Sequence, residues 1–161
     1  MILPIVAYGH PVLRKVAKDI MPDYPNLEKL IADMWETMYN SNGVGLAAPQ
    51  VNRDIRLFII DTEQIFRNLK EDDEEHYYPD APGVKAVFIN AHIIEAEGEE
   101  WAYNEGCLSI PKIREDIYRQ ETVTLQFSVD VAGTRPELRP AGSRPVPRST
   151  AGGRRAPPSS A

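Results

Sequence analysis

The chain has 161 residues, 18 Lys plus Arg against 24 Asp plus Glu, and a formal net charge of −6. That length predicts one domain with a real core, and 42% hydrophobic with 26% charged residues is a globular balance, not a fibrous or disordered one. No apolar run approaches the ~18 residues of a membrane span, no secretory leader is expected, and a single Cys excludes an internal disulfide framework, so a cytoplasmic compartment is expected.

The average charge hides a split. Residues 1–127 carry 12 basic and 22 acidic side chains, whereas residues 128–161 carry 6 basic and 2 acidic. Two kinds of sequence are joined near Phe127.

In chain order, Pro11 to Lys18 reads as a short amphipathic helix with Pro at its start. A longer helix follows. Asn26 is its expected N-cap, Leu27, Leu30, Ile31, Met34, Trp35 and Met38 form an apolar stripe, and Asn42-Gly43 should end it with a left-handed residue. Core packing is the use expected of that stripe. Ile55 to Ile60, Val87 to Ile89 with Ile93-Ile94, and Thr122 to Phe127 read as strands. In the last, Val123, Leu125 and Phe127 share one face. Glu71 to Glu75 is an acidic run read as a solvated loop, since like charges repel and no ligand geometry is implied.

After Phe127 there is no aromatic residue and no Lys, but there are six Arg and six Pro. Such a segment buries too little surface to offset its chain entropy, so residues 128–161 are expected to be a disordered tail. A basic arm for RNA or ribosomes is the functional alternative, weakened by arginines spread between prolines without aromatic interleaving.

Two motifs carry chemistry. Gly43-Val44-Gly45-Leu46-Ala47-Ala48-Pro49-Gln50 allows close backbone approach and ends in an amide able to donate to an oxyanion or a carbonyl. It is no dinucleotide fingerprint, because the third Gly is missing and it follows a helix. Glu105-Gly106-Cys107-Leu108-Ser109 places the only Cys in a polar, Gly-flanked stretch. From the residues alone, Cys107 is a small buried hydrophobe, a nucleophile in need of a His base, or one ligand of a metal site completed elsewhere.

Together the two motifs resemble the first two signature motifs of the peptide deformylases, and the likeness runs over residues 1 to about 127, including Tyr8 to Arg14 and the helix at 26–41. The resemblance implies an α+β fold of small antiparallel sheets around a central helix. It implies a metallohydrolase that removes the formyl group from the N-terminal formyl-methionine of new polypeptides, using Fe²⁺ with Zn²⁺ or Ni²⁺ as substitutes. Cys107 matches the metal-ligating Cys. Gln50 and the backbone N–H of Leu108 match the groups that steady charge on the formyl oxygen. Gly43, Val44 and Gly45 match the strand that meets the peptide. The implied partners are formyl-methionyl nascent chains, with the ribosome as a second; no membrane and no specific nucleic acid is expected. A metal-bound water of lowered pKa and aimed N–H donors suit that hydrolysis.

One part of the pattern is missing. The family's third motif, His-Glu-x-x-His on the central helix, supplies two ligands one turn apart and a proton-shuttling Glu. The three histidines here are His10, His76 and His92, and no His-x-x-x-His pair exists. Each reads as structural or solvated. The resemblance stops where that helix should begin, and the Arg/Pro-rich tail reads as a replacement, out of frame or foreign. The chain as written is therefore expected to be inactive in deformylation, with a non-catalytic formyl-Met-binding module as the alternative.

Overall fold

The computed structural model describes residues 1–68 and 83–128. The acidic run at 71–75, His76 and the tail from residue 129 lie outside the described residues. Helix α1 spans Leu27–Asn40, and α2 spans Glu63–Asn68. Strands β1 (Gly45–Ala47), β2 (Leu57–Asp61), β3 (Lys85–Cys107) and β4 (Ile110–Ser128) form one antiparallel sheet in the order β1-β2-β3-β4.

The segment expected to be a helix from Pro11 to Lys18 is only a 3-10 turn, Pro11–Arg14. His10 caps it by accepting from the Val12 N–H at 3.3 Å, and Lys18 has already joined an extended pairing with Ile55. Asn26 precedes α1 as expected, but with φ 56° it makes no side-chain cap and offers only its carbonyl, to the Leu30 N–H at 3.0 Å. The C-terminus follows expectation closely. Asn42 is left-handed at φ 54°, the Gly43 N–H donates to the Met38 carbonyl at 2.9 Å, and the Asn42 N–H donates to the Tyr39 carbonyl at 3.0 Å. That pair is a Schellman motif.

The buried stripe of α1 is Leu30, Asp33, Met34, Thr37 and Met38, rotated from the purely apolar one expected. Met34 and Met38 are fully enclosed with Leu46, Leu57 and Ile59 of the sheet. Leu27, Ile31 and Trp35 of the expected stripe pack half-buried against that core, and Trp35 also stacks on Tyr39 at 5.8 Å, beneath the Lys85 ammonium at 5.1 Å from its ring. The polar pair is buried because the N-terminal segment docks there. Thr37 Oγ1 accepts from the Leu3 N–H at 2.8 Å and donates to the Asp33 carbonyl at 2.7 Å. Asp33 accepts from Lys29 Nζ at 2.8 Å and from the Met1 ammonium at 2.7 Å.

The short strands expected at 87–94 and 122–127 are the base of one long ribbon, β3 against β4. Its middle, rich in Glu, Asp and Arg, has no hydrophobic alternation to announce a strand. Register shifts at Ile89/His92, Ile93/Glu95, Glu97/Glu100 and Gly106/Cys107, with left-handed Asn90 (φ 53°) and Gly98 (φ 91°), bend it. Asn90 also ties the base down: its side chain accepts from the Ile20 N–H at 2.7 Å and donates to the Ile20 carbonyl at 2.9 Å. Leu125 and Phe127 are half-buried, and Phe127 packs edge-on against Phe88 at 5.0 Å. Val123 of the same expected face is exposed.

Met34→Ala should cost about 2–5 kcal/mol through the cavity it leaves, read as a lower urea midpoint with an unchanged slope. Hydrogen bonds from Lys29 and then from the Met1 ammonium hold the Asp33 carboxyl below its ordinary range. A depressed folded-state value means that this stabilisation is present above the unfolded pKa and lost as pH falls through the folded one. Asp33→Asn should therefore flatten the acid limb of a stability-versus-pH curve. Because the same carboxylate is the first cause that raises the Met1 ammonium pKa, the variant should also soften the loss of stability as pH rises through that ammonium's folded-state value.

Candidate functional site

The two sequence motifs meet in space. Gly43 to Gln50 runs from the end of α1 through β1 into a 3-10 turn, Ala48–Val51. The second motif closes the ribbon: Cys107 pairs with Ile110, which leaves Leu108 and Ser109 as the two-residue turn at its tip. The bent ribbon returns this tip to the first motif. Gln50 Oε1 accepts from the Ala47 N–H at 2.9 Å, a bond that turns the amide NH₂ outward. That NH₂ faces Ser109 Oγ at 3.4 Å and Cys107 Sγ at 3.8 Å.

Backbone bonds hold the tip in place. The Val6 N–H donates to the Gln50 carbonyl and the Tyr8 N–H to the Ser109 carbonyl, both at 2.8 Å. Gly43 is buried under Leu108: a Cβ there would lie 2.8 Å from Leu108 Cδ1 and 3.3 Å from Met38 Cγ. Gly45 needs its missing side chain for another reason, since a Cβ would lie 3.3 Å from the Ile59 carbonyl of β2. Val44 is exposed, and its carbonyl accepts from the Asp61 N–H at 2.9 Å.

The six residues matched to the family's site all lie among the described residues. Gln50, Cys107 and Leu108 converge, Gly43 lies beneath them, and Val44 and Gly45 lead into the sheet's edge strand. Ser109, a motif residue without an expected role of its own, is 4% exposed and completes the polar contact with Gln50. A second group escaped notice because its members lie far apart in sequence. Tyr39 donates to Asp61 Oδ2 at 2.6 Å, while Gln64 Nε2 donates to the Gly43 carbonyl at 2.9 Å and the Asp61 carbonyl at 3.0 Å. Burial, then the Asp61 carboxylate, raises the Tyr39 pKa, so the phenol stays protonated and keeps donating. Sequence held only one signal for this group, an Asp ending an apolar strand.

The ligand chemistry is one-sided. Cys107 is exposed and offers one thiol. His10 spends Nδ1 on its turn, and His92 lies beside Arg56 Nη1 at 3.5 Å and Asp19 Oδ1 at 3.8 Å. Among the described residues no three His, Cys, Asp or Glu side chains are placed to hold a metal ion.

The polypeptide deformylase family model matches residues 2–143. The chain belongs to that family. It is 58% identical over 129 residues to a peptide deformylase of Flavobacterium johnsoniae, and 54% identical over 127 residues to one of Christiangramia forsetii. Each match covers 79% of this chain and 64% of the relative, so the chain spans less than two thirds of their length. Among solved structures, the peptide deformylase of Thermotoga maritima is 35% identical with a TM-score of 0.63, covering 79% of this chain and 74% of that one. An actinonin-bound class I type b peptide deformylase of Acinetobacter baumannii is 28% identical with a TM-score of 0.62, covering 79% and 74%. The α+β architecture, a curled antiparallel sheet with few helices, is that of the family. No described helix is long and apolar enough to cross a membrane.

Gly43→Ala should separate the two deformylase motifs, because its methyl needs room that Leu108 occupies. The expected loss is about 1–3 kcal/mol in urea unfolding. Faster amide exchange confined first to residues 105–109 would identify that contact as the cause.

Proposed function

We propose that this chain carries the formyl-peptide-recognising part of a peptide deformylase, and that as written it does not turn substrate over. The family reaction is metal-dependent hydrolysis of the formyl group from N-terminal formyl-methionine of nascent polypeptides. One observation carries the recognition half: the Gln50 amide, held by the Ala47 N–H, presents its NH₂ beside Cys107 and Ser109 at the end of β1. A fixed donor next to an edge strand suits a carbonyl at the head of an extended peptide. In this reading Val44 and Gly45 line the peptide, and Gln50 with the Leu108 N–H faces the formyl oxygen. Gly43, expected beside them, is buried with its N–H on Met38 and its carbonyl on Gln64, so it supports the strand from beneath.

The inactive half rests on the donor set. Cys107 would supply one thiolate to Fe²⁺, Zn²⁺ or Ni²⁺, which when bound would acidify a water. The described residues hold no group of three His, Cys, Asp or Glu side chains that would complete a site around it, so they do not fit that metal and no hydrolytic step is assigned. Nascent chains are the proposed source of the peptide. No observation favours the ribosome as a direct contact.

Calorimetry with a non-hydrolysable formyl-Met peptide analogue tests recognition, and formate release by metal-supplemented protein tests turnover. Binding is expected, weakened about tenfold in Gln50→Ala by loss of one aimed donor. Metal content well below one per chain and no formate above background are also expected. Formate release at a rate typical of metallohydrolases would refute the inactivity, and absent binding would refute the recognition.

A further inference from the structure

We propose that the outer edge of β4 is a self-association surface, pairing antiparallel with β4 of a second copy of this chain about a two-fold axis at Ile117. β4 is last in the sheet order, so its nineteen residues have one edge without a strand partner among the described residues. A long, regular edge is a template for another strand, and a two-fold axis is the simplest way for one surface to pair with itself.

The side chains select the partner and the register. Trp101 opposes Arg119, Tyr103 opposes Ile117, and Glu105 opposes Glu115, so all six share one face. Trp101 and Tyr103 pack edge-on at 5.4 Å yet remain 50% and 48% exposed, which leaves an aromatic pair on that face without cover. Glu105 and Glu115 are like charges directly opposed, a destabilising arrangement. Arg119 answers only one of them, donating from Nε and Nη2 to Glu105 at 2.9 and 3.0 Å.

Pairing β4 with itself at Ile117 completes the open edge and answers the unpaired carboxylate. Ile117 then faces its own copy, and the row Tyr103–Ile117 continues into Ile117–Tyr103 of the second copy. Two residues away, Glu115 faces Arg119 of the second copy, twice by symmetry. The unanswered carboxylate gains a guanidinium whose Nη1 is not engaged with Glu105. Axes one residue to either side oppose like charges: at Asp116 the aspartate meets itself, and at Tyr118 Glu115 meets Glu121. This association does not depend on the reading of the Gln50 site.

Sedimentation velocity of the full chain from nanomolar to submillimolar concentration is the test, with two variants. The parent chain should pass from monomer to dimer. Ile117→Lys places two ammonium groups at the axis and should remain monomeric. Glu115→Lys separates interface from fold, because it relieves the clash with Glu105 within one chain but sets Lys against Arg119 of the second copy. Its dimer should weaken about tenfold while the monomer's melting temperature holds or rises. A parent chain that is monomeric throughout would overturn the proposal, as would a Glu115→Lys dimer of unchanged affinity. Protection of the outward β4 amides in the dilute monomer would overturn it too, by showing the edge already covered by the chain's own residues.

Discussion

Three backbone N–H groups of the first eight residues tie together parts that the sequence keeps apart. Leu3 donates to Thr37 on α1, Val6 to the Gln50 carbonyl at the end of the first motif, and Tyr8 to the Ser109 carbonyl at the ribbon tip. Each of the three acceptors would otherwise face an incomplete hydrogen-bonding environment at the rim of the core. The same short segment thereby sets the distance between helix, edge strand and ribbon tip. The Gln50–Ser109–Cys107 contact depends on that spacing, and so does the fit of Leu108 over Gly43.

The ribbon shows what this arrangement leaves unfinished. Its base is anchored by Asn90 and by the stacked rings of Phe58 and Phe88, and its tip by Tyr8 and Gln50. Between those anchors, Ile93, Ile94, Trp101, Tyr103, Tyr118 and Val123 are half or more exposed, or close to it. These side chains lie on both faces of the ribbon, Trp101 and Tyr103 on one and Tyr118 on the other, and apolar area left in water contributes nothing to folding. The family's metal-ligating helix is the element whose motif this sequence lacks.

How much could be read beforehand varied with the kind of signal. The C-terminus of α1 was legible because Asn-Gly after an apolar stripe is a local, backbone-level instruction. The depth of the stripe was not. Asp33 and Thr37 are buried by a segment more than thirty residues away, and helical periodicity counts only apolar residues. Pro11 to Lys18 failed as a helix because Lys18 was claimed by Ile55. The ribbon's middle was invisible, since an exposed two-stranded ribbon buries little and needs no alternation. That Gln50 and the 107–109 turn would meet followed from motif resemblance; the contacts of Ser109, Tyr39 and Gln64 did not, since they are made only after folding.

By itself, the sequence determined the family, the two motifs, the position of α1 and the absence of a His-Glu-x-x-His pair. These are matters of residue identity and local order along the chain. Only the tertiary structure decided that a bend in a 23-residue strand returns Cys107 to Gln50, that the Gln50 amide meets Ser109 as well, and that Leu108 closes over Gly43. The reason is one of range. Turn chemistry and periodicity act over a few residues, whereas a strand bent by several irregularities has its endpoint chosen by whichever long-range hydrogen bonds its tip can complete.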